Sequence, residues 1–150
     1  ELHAQGIRLA VIGQPQRLPD DVRATLDAAI AQTAGNRDMQ LNLALSYGGR
    51  TEITEMVQSI AQKVAAGNLQ PSQIDESMVS DHLYTAGQPD PDLLIRTSGE
   101  MRISNFLLWQ LAYAELFVTD TLWPDFSRDE YHRILAHYQQ RDRRFGKVEE

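Results

Sequence analysis

Two arginines and several hydroxyl groups lie close together in segment 96–104 of the sequence. The segment reads Arg-Thr-Ser-Gly-Glu-Met-Arg-Ile-Ser and directly follows an apolar run that is typical of a strand. A guanidinium group offers a planar fork of N–H donors that matches phosphate oxygens, and hydroxyl groups and loop amides can complete such a cradle. The residue types therefore favour a site for phosphate groups. The alternative is a polar loop whose arginines pair with Glu100 and nearby carboxylates.

Glu115 is the second residue with unusual surroundings, because it lies within the largely apolar segment 111–118. A carboxylate among neighbours that favour burial needs a cation, a metal ion or strong hydrogen bonds to offset its lost hydration. Mg²⁺ is a natural candidate, since it takes one or two protein carboxylates and completes its octahedron with water and phosphate oxygens. In this interpretation Glu115 converges with Arg96 and Arg102 on one bound diphosphate. The alternative is a buried ion pair with either arginine.

Three further groups of residues fit structural roles. Gly48-Gly49-Arg50 is typical of a tight turn between a strand and a helix. Trp123-Pro124-Asp125-Phe126 is interpreted as a packed turn that needs no chemistry. The arginines Arg141, Arg143 and Arg144 suit the C-terminal end of a helix, where they face the negative end of its dipole.

The elements that must position these residues follow from the hydrophobic pattern. Apolar or alternating runs predict strands over residues 9–12, 41–45, 92–95 and 116–118. Helical spacing predicts helices over residues 20–33 and 53–64, a weaker helix around residues 106–109, and a last helix that opens with a capping box of Ser127 and Glu130. This alternation indicates an α/β fold with a parallel sheet, helices on both of its faces, and ligands at the carboxyl ends of the strands.

Composition narrows the class of protein. The chain has 150 residues, 42% of them hydrophobic, which predicts a single domain spanning residues 1–150. The net charge of −7 argues against a general nucleic-acid binder, because such proteins need a basic face. Cysteine is absent, which excludes disulfides and thiolate catalysis and agrees with a reducing compartment. Neither a membrane span nor a signal segment is recognised, so a cytoplasmic protein is expected.

Familiar nucleotide motifs are missing. The sequence contains neither a Gly-x-x-x-x-Gly-Lys-Ser/Thr loop nor a Gly-x-Gly-x-x-Gly fingerprint. Nucleotide triphosphatases and dinucleotide-binding enzymes therefore have no support in the sequence.

Several ordered blocks resemble the cis-prenyltransferases, and most of all the bacterial undecaprenyl diphosphate synthases. The blocks are Leu41-Asn-Leu-Ala-Leu-Ser-Tyr-Gly-Gly-Arg50, then Asp92-Leu-Leu-Ile-Arg-Thr-Ser-Gly-Glu with the rest of segment 92–110, then Ala114-Glu115-Leu116, and finally Trp123-Pro124-Asp125-Phe126. The resemblance runs from Ile7 to Gly146. A match of several blocks in order is far more specific than any single motif.

The resemblance implies a magnesium-dependent transferase that condenses isopentenyl diphosphate with an allylic diphosphate such as farnesyl diphosphate. The product would be a Z-polyprenyl diphosphate, undecaprenyl diphosphate, for the lipid carrier of cell-wall synthesis. By position, the residues matching the family's substrate-binding residues are Arg96, Arg102, Ile103 and Ser104, and the residue matching a magnesium ligand is Glu115. The resemblance also implies a homodimer in which Arg144 and Gly146 contact substrate in the neighbouring subunit, and at most peripheral membrane contact for product release.

The family's catalytic aspartate belongs to an Asp-Gly-Asn-Gly-Arg-Trp block that does not occur in this sequence. The resemblance places that block, with the N-terminal strand and helices of the family fold, before Glu1. The chain is therefore expected to be a C-terminal portion of the catalytic domain that contains no catalytic residue and is inactive by itself. Met101 lies where some members have a histidine that can reach the metal, so it receives no metal role. Two alternatives remain open: a non-catalytic partner subunit, and a diphosphate-binding module of the same fold.

Overall fold

A computed structural model describes residues 1–141, and the chain groups into two compact units, Glu1–Gln88 and Pro89–Glu150. The first unit contains the strands β1 (Ile7–Gly13) and β2 (Met39–Leu45) and the helices α1 (Asp20–Thr33), α2 (Gly49–Ala65) and α3 (Glu76–Asp81). The second unit contains the strands β3 (Leu93–Arg96) and β4 (Glu115–Val118) and the helix α4 (Arg128–Gln139). Within the described residues, strands and helices alternate as predicted from β1 to α2, but no strand separates α2 from α3 and no helix separates β3 from β4. Among residues 1–141, no helix combines the length and the apolar character that crossing a membrane requires.

The first unit is built on a parallel strand pair. β1 and β2 run in register from Ile7 opposite Met39 to Gly13 opposite Leu45, with α1 as the connection between them. Leu9 and Ile12 are three positions apart, so their side chains point to opposite faces of β1, and both are buried. Both faces of this strand are therefore covered, which explains why its sequence is a continuous apolar run rather than an alternating one.

Gly13 lies at the carboxyl end of β1, where the backbone of the neighbouring strand approaches closely. Its φ is +109°, and a Cβ atom at this position would lie 2.3 Å from the carbonyl oxygen of Leu45. We expect Gly13→Ala to lower the free energy of unfolding by about 2–3 kcal/mol, through backbone strain and overpacking. Urea denaturation measures this loss. Gly35→Ala is the matched control, because its Cβ would meet nothing within 4 Å; equal stability of the two variants would contradict the strain argument.

The second unit is built on a shorter parallel pair. Leu93 pairs with Glu115 at one end of the two strands, and Arg96 pairs with Val118 at the other end. Ile134, in the middle of α4, is fully buried. The parallel direction of both strand pairs confirms the predicted fold class.

The predicted helix around residues 106–109 is wrong. The structure has turns and bends throughout residues 104–113. Ser104, Asn105 and Leu107 have φ values of +46°, +63° and +44°, which a right-handed helix of L-residues does not allow. Apolar residues at helical spacing are therefore present in this segment without a helix.

The predicted capping box of α4 is half correct. The Ser127 hydroxyl accepts a hydrogen bond from the Glu130 backbone N–H at 3.2 Å, as an N-cap residue should. The Glu130 side chain does not return to the cap. Its carboxylate accepts hydrogen bonds from Thr119 and Thr121 instead, because these hydroxyl groups, in the segment after β4, lie within its reach.

Candidate functional site

A cleft of about 530 Å³ lies at the carboxyl end of β3 in the second unit. Arg96 is the last residue of β3, and Thr97 and Ser98 follow it in the wall of the cleft. Arg102 and Ile103 also line the cleft. The structure therefore brings together three of the four residues assigned to substrate binding, at the strand end where α/β proteins bind ligands.

Arg96 has the surroundings expected of an anion-binding residue. It is half-buried, and its backbone carbonyl is fixed by a hydrogen bond from the Thr119 N–H at 2.9 Å. Within residues 1–141, no carboxylate lies within ion-pair distance of its guanidinium group. A partly desolvated charge without a counter-charge is unfavourable, so this guanidinium is available to an anion that enters the cleft.

Arg102 does have a counter-charge in the structure. Its guanidinium pairs with Glu100, as the polar-loop alternative expects. The two side chains are 65% and 38% exposed, and an ion pair with this exposure contributes little to stability. A diphosphate carries more charge than one carboxylate and accepts paired hydrogen bonds from a guanidinium, so it can displace Glu100. The ion pair and a phosphate site are therefore compatible.

The loop that contains these residues has an unusual backbone. Five non-glycine residues in the described part of the chain have positive φ, and four of them lie in segment 98–107. They are Ser98, Ser104, Asn105 and Leu107. Each such residue costs about 1–3 kcal/mol and persists only where the surrounding structure imposes it, most often at functional sites. The backbone thus supports a functional role for this loop independently of its arginines.

Ser104 is the fourth residue assigned to substrate binding, and it follows Ile103 in the loop. Ile103 is 42% exposed and lines both the cleft and a neighbouring depression of about 270 Å³. Ser104 is exposed but does not line the cleft. Its role in substrate binding remains a prediction.

Glu115 lies at the opposite end of the β3–β4 strand pair from Arg96. It opens β4 opposite Leu93, three residues along the strand pair from the level of Arg96, a separation of roughly 10 Å. Its carboxylate accepts a hydrogen bond from the Arg141 guanidinium at 2.5 Å and lines a separate cavity of about 60 Å³ with His137. Within residues 1–141, Glu115 forms no ion pair with Arg96 or Arg102, and the convergence of the three side chains on one diphosphate stays a prediction. The ion pair of Glu115 with Arg141 is exposed, whereas the alternative expected a buried pair with Arg96 or Arg102.

Glu115 can supply one oxygen ligand to a metal ion. Its side chain is 27% exposed, and the Arg141 side chain that covers it is 62% exposed, so the carboxylate is accessible. A single carboxylate fits Mg²⁺, which is often held by one or two protein ligands together with water and phosphate oxygens. Among residues 1–141, no three His, Asp or Glu side chains are grouped so that they could hold a metal ion together. Any further ligand must come from the substrate, from water or from elsewhere.

Trp123 is a cleft residue that the sequence interpretation missed. The predicted packed turn is wrong for this side chain, which is 73% exposed and lines the cleft. Its ring stacks on that of Phe126 with centroids 6.0 Å apart and planes 9° apart, so it is held as an aromatic wall. The available signal was the tryptophan beside Pro124 and Asp125, since residues in a polar turn are usually exposed.

A second cluster of polar groups lies at the carboxyl ends of β1 and β2 in the first unit. Glu52 is 1% exposed and accepts hydrogen bonds from the Tyr47 hydroxyl at 2.5 Å and the Tyr84 N–H at 2.8 Å. Glu55 accepts hydrogen bonds from the Gln14 amide at 2.7 Å and from the Tyr84 hydroxyl. Burial, together with the Glu55 carboxylate, raises the pKa of the Tyr84 hydroxyl, which therefore remains a donor. These bonds tie α2 to the turn at Tyr47 and to the segment after α3.

Gly48 and Gly49 lie beside this cluster. Gly48 is the N-cap residue of α2, and the helix begins at Gly49. The predicted turn between a strand and a helix is thus present. Arg144 and Gly146, assigned to a neighbouring subunit's site, lie outside the described residues.

Comparison with known proteins agrees with the motif blocks. The family model described as "Putative undecaprenyl diphosphate synthase" matches residues 1–146. The isoprenyl transferase of Heliobacterium mobile is 57% identical over 147 residues, which cover 98% of this chain and 56% of that protein. The isoprenyl transferase of Porphyromonas gingivalis is 54% identical over 150 residues, which cover 100% of this chain and 59% of that protein.

A solved structure shows the same fold. The crystal structure of lavandulyl diphosphate synthase from Lavandula x intermedia, in complex with dimethylallyl diphosphate, superposes with a TM-score of 0.94 at 41% identity. The match covers 97% of this chain and 63% of that one. The chain thus spans less than two thirds of the length of these relatives. Sequence, family model and fold agree, and the chain belongs to the undecaprenyl diphosphate synthase family of prenyltransferases.

Proposed function

We propose that the full-length protein containing this chain condenses isopentenyl diphosphate with an allylic diphosphate such as farnesyl diphosphate, and that it makes undecaprenyl diphosphate for the lipid carrier of cell-wall synthesis. The observation that carries this proposal is the half-buried Arg96, which faces the cleft without a carboxylate partner in residues 1–141. Arg102 adds a second guanidinium in the same cleft. Two positive charges at the carboxyl end of a strand suit a diphosphate better than a single phosphate or a carboxylate.

The remaining wall of the cleft suits the hydrocarbon part of the substrate. Ile103, Phe106 and Trp123 line the cleft beside the arginines. A small molecule with a diphosphate at one end and a branched five-carbon group at the other matches this division between charged and apolar walls. We assign the diphosphate to Arg96 and Arg102 and the five-carbon group to the apolar wall.

The reaction makes separate demands on the two walls. The double bond of isopentenyl diphosphate attacks the allylic carbon, the allylic C–O bond breaks, and the diphosphate departs with the electron pair while a proton leaves the new chain. Arg96 and Arg102 hold the isopentenyl diphosphate at a fixed position, so that attack becomes effectively intramolecular. The apolar wall excludes water from the developing carbocation.

Magnesium belongs to the proposal as a cofactor. When bound, Mg²⁺ neutralises negative charge on diphosphate oxygens. Glu115 is assigned to it by position in the family, and Arg141 must then release the carboxylate. Ser104 is likewise assigned to substrate binding by its position in the family.

The proposal also covers the assembly and its location. We infer a cytoplasmic homodimer with at most peripheral membrane contact, in which Arg144 and Gly146 complete the neighbouring subunit's site. Exposed apolar side chains on the second unit support an interface, since Met101 is 83% and Tyr113 is 74% exposed. The family match over residues 1–146 extends across both compact units and supports one catalytic domain over residues 1–150.

Incubation of the full-length protein with Mg²⁺, farnesyl diphosphate and labelled isopentenyl diphosphate tests the proposal. We expect labelled long-chain polyprenyl diphosphate, and no product from residues 1–150 alone. A folded full-length protein that binds both substrates but forms no product would identify a non-catalytic partner subunit. Binding of inorganic diphosphate without any dependence on Mg²⁺, and without turnover, would identify a diphosphate-binding module.

A further inference from the structure

We propose that Glu130 is a positioning residue for the diphosphate cleft, acting through Thr119 and Thr121 on the turn at Ser98 and Gly99. This inference rests on the proposed function, because it assigns a role to a residue behind the same cleft. Glu130 does not line the cleft itself. Its effect must therefore pass through the segment that follows β4.

The first step is the contact between α4 and this segment. Oε1 of Glu130 accepts hydrogen bonds from the Thr119 hydroxyl at 2.5 Å and the Thr121 hydroxyl at 3.0 Å. The Glu130 side chain is 10% exposed, and Arg133 is its ion-pair partner at 3.5 Å. The hydroxyl of Thr119 holds the pKa of the Glu130 carboxyl below its usual range, so the group is a charged acceptor near neutral pH.

The second step is the shape that this acceptor imposes. The two threonines are two residues apart, and one oxygen atom binds both hydroxyl groups. The Thr121 N–H also donates to the Thr119 hydroxyl at 3.3 Å, which closes a local loop over residues 119–121. These hydrogen bonds fix the directions in which the backbone carbonyls of residues 119–121 point.

The third step connects that loop to the cleft. The carbonyl oxygen of Thr121 accepts from the Ser98 N–H, and that of Thr119 accepts from the Gly99 N–H, both at 2.9 Å. Ser98 and Gly99 have φ values of +68° and +66°, and for Ser98 this conformation is unfavourable without such restraints. The turn begins two residues after Arg96, so its conformation sets where the polar wall of the cleft lies.

The alternative is that Glu130 only stabilises the dipole of α4. An acidic residue in the first turn of a helix is favourable in this way wherever its side chain points. Asp129 is the residue that separates the two interpretations. It lies beside Glu130 in the same turn and is exposed. If Glu130 acted only on the helix dipole, substitutions at Asp129 and at Glu130 would have similar effects on stability and on diphosphate binding.

The test compares three variants of the full-length protein. Glu130→Met removes the acceptor, Glu130→Gln keeps a side-chain carbonyl that can accept from the threonines, and Asp129→Met makes the same change one residue away. We expect the Kd for inorganic diphosphate, measured by calorimetry, to rise roughly tenfold in Glu130→Met. It should recover largely in Glu130→Gln and stay at the wild-type value in Asp129→Met. In turnover assays the loss should appear in KM for isopentenyl diphosphate more than in kcat.

A second readout does not depend on activity. Amide hydrogen exchange at Ser98 and Gly99 should be faster in Glu130→Met than in Asp129→Met. The reason is that the carbonyl groups of Thr121 and Thr119, which accept from these amides, would no longer be held in place. If Glu130→Met lowers Tm but has the exchange rates and Kd of Asp129→Met, Glu130 is only structural and the inference is overturned. If the wild-type protein does not bind diphosphate, the proposed function fails, while the exchange rates still decide the positioning role.

Two substitutions at Thr119 keep the inference testable if Glu130→Met does not fold. Thr119→Val removes the hydroxyl with little change in volume, and Thr119→Ser retains it. We expect the valine variant to reproduce the faster exchange at Gly99 and the weaker diphosphate binding. The serine variant should stay near the wild type. Equal behaviour of the two variants would overturn the inference.

Discussion

Replacing Arg96 with methionine in the full-length protein is expected to raise the Kd for inorganic diphosphate and the KM for isopentenyl diphosphate roughly 10- to 100-fold. The reason is that a hydrogen bond to a charged group contributes about 1.5–3 kcal/mol, and 1.4 kcal/mol corresponds to tenfold in affinity. Arg96 should lie toward the upper end of this range, because it is half-buried in the cleft and has no competing carboxylate in residues 1–141. Calorimetry and initial-rate kinetics measure the two constants.

Related variants sharpen this prediction. Arg102→Met should have a smaller effect of roughly tenfold, because its guanidinium is 65% exposed and is shared with Glu100. Arg96→Lys should fall between the wild type and Arg96→Met, since an ammonium group keeps the charge but loses the planar fork. Arg23→Met is the control, because Arg23 pairs with Asp20 on α1 in the first unit. An unchanged Kd in Arg96→Met would remove the cleft from consideration as the diphosphate site.

The second large effect is expected for Glu52→Ala, which should lower the free energy of unfolding by about 3–5 kcal/mol. Glu52 is 1% exposed, and its carboxylate accepts from the Tyr47 hydroxyl and the Tyr84 N–H. The substitution leaves these donors without their acceptor and opens a cavity, and each of the two changes lowers the free energy of unfolding. Urea denaturation of the full-length protein measures the loss.

Two further variants test the cause. Glu52→Gln keeps one carbonyl acceptor and should cost only about 1–2 kcal/mol. Glu76→Ala removes an exposed carboxylate from the first turn of α3 and should change stability by less than about 1 kcal/mol. A stability of Glu52→Ala close to that of Glu76→Ala would show that the hydrogen bonds of this cluster do not stabilise the first unit.

Local patterns in the sequence predicted most of the elements. The helix predicted over residues 20–33 has the bounds of α1, and each predicted strand overlaps an observed one. These successes have a common physical cause, since burial of one face imposes a repeat, and burial of both faces imposes a continuous apolar run, either of which can be read along a short segment. The failure at residues 106–109 has the opposite cause. Three residues within segment 104–107 have positive φ, and side-chain periodicity carries no information about that constraint.

The site was predictable in part. Arg96 ends β3, and Arg102 and Ile103 lie within the next seven residues, so their common position at the carboxyl end of the strand follows from chain connectivity. Trp123 is separated from them by a further strand, so its place in the cleft does not follow from chain connectivity, although the polar turn around it indicates that it is exposed. Its position depends on how the turn after β4 packs.

The sequence alone determined most of the strands and helices and the cationic loop after β3, because each depends on residues close together in the chain. It also determined the family, because several such motif blocks occur in order along the chain. Only the tertiary structure decided the partners of the charged groups. Glu115 pairs with Arg141 rather than with Arg96 because parallel pairing puts the start of β4 and the end of β3 at opposite ends of the strand pair. Glu130 reaches Thr119 and Thr121 because α4 packs beside the segment after β4. Contacts of this kind depend on strand direction and helix packing, which no local pattern of residue types encodes.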